Sequence, residues 1–168
     1  MQPARPAPSG FTIVELMVSL AVAAILIGFA LPAFNDFVDQ RRMASRINDL
    51  VLAINYARSE AARRGGPVSV QALAPAADNE WGGGYCVVEG DPGNCGGVVL
   101  RRFEPYDDAT LDAVPNRTTL TFNARGMLAN GGAGTFELCS TDNSIDPGRV
   151  VNITFTGRPD VEELTCFP

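Results

Sequence analysis

Histidine is missing from this chain, and so is lysine: every one of the 13 basic residues is arginine. Without imidazole, the usual general base, the Ser-His and Cys-His pairings and histidine metal ligation are all excluded. Positive charge is also scarce overall. Against 19 Asp and Glu the formal net charge is -6, the wrong sign for a chain that coats itself with nucleic acid, although a local arginine strip is still open to it. No carboxylate pair can be assigned across a cleft: Asp107-Asp108 and Glu162-Glu163 are adjacent along the chain and have no histidine partner. The glycine-rich runs lack the strand-to-helix context of a phosphate loop and read as turns. Catalysis, a metal centre and a cofactor are therefore not expected, and no catalytic residue is assigned.

What the chain does have is one long apolar run. Phe11–Leu31 reads FTIVELMVSLAVAAILIGFAL, with Glu15 its single charge. As a helix it spans roughly 30 Å, the hydrocarbon thickness of a bilayer. A carboxylate in such a segment is costly unless a cation pairs with it or water reaches it. Pro32 follows, where the lost amide hydrogen and the ring predict a kink or local melting. Beyond it, Phe34, Phe37, Met43, Ile47, Leu50, Ile54, Ala57 and Ala61 recur at helical spacing, with charged residues between them. One spine helix is thus expected from Phe11 to about Arg63, stopped by Gly65-Gly66-Pro67. Its second half needs a sheet to cover its stripe.

After Pro67 the periodicity changes to that of strands: Val68–Leu73, Tyr85–Glu89, Val98–Phe103, Thr118–Phe122, Thr135–Cys139 and Val150–Phe155. A helix followed by short antiparallel strands predicts an α+β fold, a long N-terminal helix packed on a small antiparallel sheet. Two segments echo each other: Leu120–Gly126 (LTFNARG) and Ile153–Pro159 (ITFTGRP), each a β-prone triplet running into a turn with an arginine.

The four cysteines, Cys86, Cys95, Cys139 and Cys166, all lie beyond the apolar run, and an even count on an exported side favours disulfides. Three pairings are open, as are free thiols. Cys86–Cys95 with Cys139–Cys166 is favoured, because the first closes a short glycine-rich loop and the second pins the chain end. The spacings lack the close C-x-x-C pairs of common zinc sites.

Gly10-Phe11-Thr12-Ile13-Val14-Glu15-Leu16-Met17 resembles the processing and methylation site of type IV prepilins and type II secretion pseudopilins. The resemblance implies a leader over residues 1–10, cleavage between Gly10 and Phe11 by a prepilin peptidase, and N-methylation of Phe11. The leader MQPARPAPSG has one side-chain charge, Arg5, and so departs from the usual basic leader. The implied organisation is a hydrophobic transmembrane and assembly helix at 11–32, an amphipathic half at 33–64 and a β-rich head at 65–168. Packed helices exclude water, so Glu15 would be met by the freed amine of an adjacent subunit, which sets register. Tyr56–Ala61, Leu120–Gly126 and Arg149–Pro159 are similar to the minor pilins and pseudopilins of the FimT, FimU and GspH type. That family implies a subunit held in the bacterial inner membrane with a periplasmic head. Its implied partners are other minor and major pilins or pseudopilins in a pilus or pseudopilus. FimT-like members of some species bind DNA through basic residues near a Gly-Arg turn, which points to Arg125, Arg149 and Arg158, with Asp160, Glu162 and Glu163 opposing a polyanion.

Overall fold

The computed structural model describes residues 10–74, 79–129, 133–141 and 148–166. Residues 1–9 of the expected leader lie outside these, as do Asp146 and Pro147, which with Gly148 read as the turn before the last expected strand. The chain divides into two compact units, Met1–Val38 and Asp39–Pro168.

Among the described residues one helix, α1, runs Ile13–Arg64. Thr12 caps its start: the Glu15 amide donates to Thr12 Oγ1 at 3.2 Å and the Leu16 amide to Thr12 O at 3.1 Å. Within the first unit the span Ile13–Leu31 is long and apolar enough to cross a membrane, and none of it is buried. Helical conformation continues through Pro32, so the expected local melting is not found. Proline removes one bond, to the carbonyl four residues back, and the flanking turns hold the backbone.

In the second unit α1 buries one stripe: Met43, Ile47, Leu50, Ala53, Ile54, Ala57 and Ala61. The spacing keeps these side chains on one face, and the alanines of the last turns let strands approach closely. Phe34 and Phe37, expected on the same stripe, are 61% and 52% exposed. The helix stops at Gly65, whose φ of 67° is the left-handed conformation that ends many helices.

Among the described residues eight strands follow: β1 Val68–Ala72, β2 Tyr85–Glu89, β3 Val99–Phe103, β4 Ala109–Val114, β5 Thr119–Phe122, β6 Gly134–Ser140, β7 Gly148–Ile153 and β8 Pro159–Leu164. They form two antiparallel sheets, ordered β3-β2-β1-β5 and β4-β6-β7-β8. The α+β fold with an antiparallel β-sheet head is as expected; the head's strands divide between two small sheets, and β4 and β8 were not among the expected strands. Strand alternation sends Val68, Val70, Tyr85 and Phe122 from the first sheet, and Leu111, Phe136, Leu138 and Val151 from the second, into one core with the helix stripe. Trp81, fully buried between β1 and β2, meets Phe136 edge-on at 4.9 Å and donates its indole N–H to Arg117 O at 2.6 Å. Cys86 is bonded to Cys95 and Cys139 to Cys166.

Candidate functional site

Two places in the structure bear on function: the helix start and a knot of turns on the head. At the start, Gly10, Phe11 and Thr12 precede the helix in irregular backbone. Phe11 is 83% exposed, and no atom lies within 4 Å of where a Cβ on Gly10 would sit. Glu15 stands in the first turn of α1 and is exposed. The unsatisfied amides there favour a negative charge, so the helix itself gives Glu15 a local reason to be an acid. Ser19 Oγ donates to Glu15 O at 2.8 Å, turning that hydroxyl back onto the backbone.

On the head, the echoing segments meet at Arg58. This helix residue donates its Nε–H to Gly126 O at 3.0 Å. Gly126 ends a turn in which Asn123 organises the backbone: Asn123 O accepts from the Gly126 amide and Asn123 Oδ1 from the Arg125 amide, at 2.8 and 2.9 Å. The second turn lies directly beside it. The Gly157 amide donates to Thr154 O at 2.8 Å, and the Leu128 amide donates to Phe155 O at 3.1 Å, joining the two. Gly126 and Gly157 have φ of 71° and 75°. A Cβ on Gly157 would stand 2.9 Å from Gly126 O and 3.1 Å from Arg58 Nε. Glycine is required there by both conformation and space.

This knot brings the turns of Arg125 and Arg158 together and leaves both arginines exposed. It does not gather Arg149. That residue lies near the other end of β7 and donates to Glu163 Oε1 on β8 at 3.0 Å. The expected three-arginine patch is thus two arginines, bordered by the acidic β8. Arg58 lies within Tyr56–Ala61, but residue order gives it no role, because its carbonyl partner is 68 residues away along the chain.

Two polar clusters tie α1 to the sheets. Glu60, with its side chain 10% exposed, accepts from Arg63 Nε at 3.1 Å and from Arg64 Nε at 2.8 Å, while Arg64 Nη1 reaches Glu89 on β2 at 2.8 Å. The hydrogen bonds from Arg63 and Arg64 hold the Glu60 carboxyl down at about 2. At the opposite end of the buried stripe a groove of about 620 Å³ is lined by Arg42, Arg46, Asp49, Arg102, Tyr106 and Asp108. Arg46 pairs with Asp108 and lies over the Tyr106 ring at 5.3 Å, while Tyr106 Oη–H donates to Arg46 O at 3.1 Å. Burial and neighbouring Asp49 push the Tyr106 phenol up to about 12 against the opposing pull of Tyr85 and Arg46, and burial raises Tyr85 as well. Both tyrosines stay neutral. Within the groove Arg46, Asp108 and Tyr106 satisfy one another.

An exposed apolar helix with a capped start, continuing into a helix-and-sheet head, defines the pilin class of subunit. The model described as type II transport protein GspH matches residues 46–157, and the chain belongs to that family. The prokaryotic N-terminal methylation motif matches residues 5–31. Two crystal structures of the Pseudomonas aeruginosa type IV minor pilin FimU are similar to it, each 28% identical. They cover 78% and 76% of this chain and 99% of FimU, with TM-scores of 0.65 and 0.58. The type IV major fimbrial protein FimA of Dichelobacter nodosus is 41% identical over 39 residues, where the chain spans only 24% of that relative's length.

Proposed function

We propose that this chain is a minor pilin subunit of a type IV pilus that takes part in starting and assembling the fibre. It waits in the bacterial inner membrane, single-pass, with its head in the periplasm. A prepilin peptidase cuts after Gly10 and methylates the new amine of Phe11. The subunit then enters the fibre as Phe11–Leu31 exchanges lipid for neighbouring helices, with Glu15 pairing with an adjacent N-terminal amine. The role is structural and not catalytic.

The observation that carries this reading is the apolar span Ile13–Leu31, wholly uncovered by the rest of the chain, on a protein whose likeness to FimU extends over 99% of the crystallised FimU chain. The exposed, irregular backbone at Gly10 and Phe11 supports access by a peptidase. A second reading is favoured by the family model itself: a minor pseudopilin of a type II secretion machine, using the same helix chemistry. DNA capture has less support, because Arg149 is engaged by Glu163 and Arg158 runs directly into the acidic β8.

The test is to express full-length chain and its Glu15→Gln variant in a piliated host, then compare sheared fibres with membranes by immunoblot and sequence the mature N-terminus. Wild type is expected in the fibre fraction, beginning at N-methyl-Phe11. Glu15→Gln is expected to be cleaved normally but to enter fibres roughly tenfold less, the scale of one lost charge pair. A mature protein beginning at Met1 overturns the proposal. Recovery with secretion subunits alone replaces the pilus by the pseudopilus.

A further inference from the structure

Four strands end the two sheets: β3 and β5 in the first, β4 and β8 in the second. The outward N–H and C=O groups of such a strand are a template for another strand. Two of these edges are served by the chain itself. Along β5, the Ala129 amide donates to Thr121 O at 2.7 Å, and Leu128 bridges Phe122. Along β4, Leu111 O accepts from the Trp81 amide at 3.2 Å, and the Leu111 amide donates to Asn79 Oδ1 at 2.6 Å. Among the described residues, no segment hydrogen-bonds to the outer backbone of β3 or β8.

These two open edges carry opposite charge. On β3, Val99, Arg101 and Arg102 are exposed; on β8, Asp160, Val161, Glu162 and Glu163 are exposed. We propose that the β3 edge of one copy of this chain receives the β8 edge of a second copy, antiparallel, extending one sheet across both molecules. The register that sets Arg101 opposite Glu163 and Arg102 opposite Glu162 also sets Phe103 opposite Val161, while Leu100, the extra residue of a bulge between Val99 and Arg101, lies alongside Leu164 outside the face-matched pairs. Residues directly opposite must share a face, and these do. Arg101 lies beside core residue Val87, and Glu163 is on the face of core residue Val151; Arg102 lies beside Cys86, and Glu162 beside Val150. Glu104 would fall opposite Asp160 just past the end of β3, so the pairing stops at Phe103.

The charges also select the symmetry. A two-fold dimer built on a single strand pairing across its axis would set β3 against β3 or β8 against β8, and so like charges against each other. Opposite edges meet head to tail, the heterologous contact that propagates along a fibre. Within its own chain Glu162 accepts from neutral Asn152 at 3.1 Å, which leaves its charge available, while Glu163 already shares Arg149. The inference rests on the assembly reading only for bringing copies side by side.

The test uses full-length chain in its membrane, carrying photoreactive benzoylphenylalanine at Leu100 and produced with two epitope tags. The expected result is an adduct joining the two tagged copies that maps to residues 160–164 of the second. Arg102→Glu should lower adduct yield roughly tenfold, and Glu162→Arg added to the same chain should restore it. Thiol labelling shows whether both disulfides have formed, so a misfolded variant is recognised, and the adduct from the otherwise unaltered chain still decides. No adduct, one mapping elsewhere, one formed solely with a different protein, or failure of the charge exchange in a folded chain overturns the proposal. Fibres that contain the subunit but give no adduct sink the edge contact and leave the pilin reading standing. An adduct in a subunit that never enters fibres does the reverse.

Discussion

Glu60 is an acid set where water barely reaches, and two arginines from the next helical turn keep it charged. Its carboxyl sits at about 2 when folded, below its ordinary 4.5. A group depressed on folding stabilises the native state above its unfolded value, and that contribution disappears as pH falls through the folded one. The chain should therefore lose melting temperature between pH 4.5 and 2. Glu60→Gln should melt lower at neutral pH and show a flatter acid limb, as read by circular dichroism across a pH series. None of this could be read from residue order alone. Arg63 and Arg64 look like ordinary basic residues at a helix end, and the approach of Glu89 depends on β2 returning to that point. Glu15 is the contrary case: a lone carboxylate in an apolar run stands out with no structure in hand.

At the scale of elements, the two turns on Arg58 show how a local motif acquires its reason from a distant one. Gly157→Ala would force a left-handed residue and press a methyl group to 2.9 Å from both Gly126 O and Phe122. We expect a loss of about 2–4 kcal/mol, combining backbone strain with overpacking. Gly65→Ala, also left-handed but with nothing within 4 Å, should lose only about 1 kcal/mol. Urea unfolding of the two variants checks the difference. The helix and most strands were legible because apolar period is a local property. β4 and β8 were not. In β4 the inward alternation of Ala109, Leu111 and Ala113 is carried mostly by small alanines. β8, Pro159-Asp160-Val161-Glu162-Glu163-Leu164, is an acidic edge whose side chains are largely exposed. Its strand conformation comes from pairing with β7, and only its partner reveals it.

At the scale of the whole molecule, the two units have different solvents. The first presents apolar side chains with no protein cover, and the second encloses a core that unites helix and sheets. Full-length chain should therefore enter the detergent phase of a Triton X-114 separation, whereas a chain beginning at Asp39 should stay in the aqueous phase with both disulfides formed. Immunoblots of the two phases check this, and detergent-phase recovery of the shortened chain would contradict the division. Residue order by itself determined the apolar segment with its single acid, the helix that continues it, the glycine stop at Gly65 and the α+β class. Each of these is written in composition or period over a few turns of chain. Only the tertiary structure decided that the strands form two sheets, that Arg58 gathers the turns of Arg125 and Arg158 while Glu163 takes Arg149, and that β3 and β8 are left as open edges of opposite charge. Those outcomes depend on which distant segments meet, and contacts between residues far apart in the chain leave no periodic trace in it.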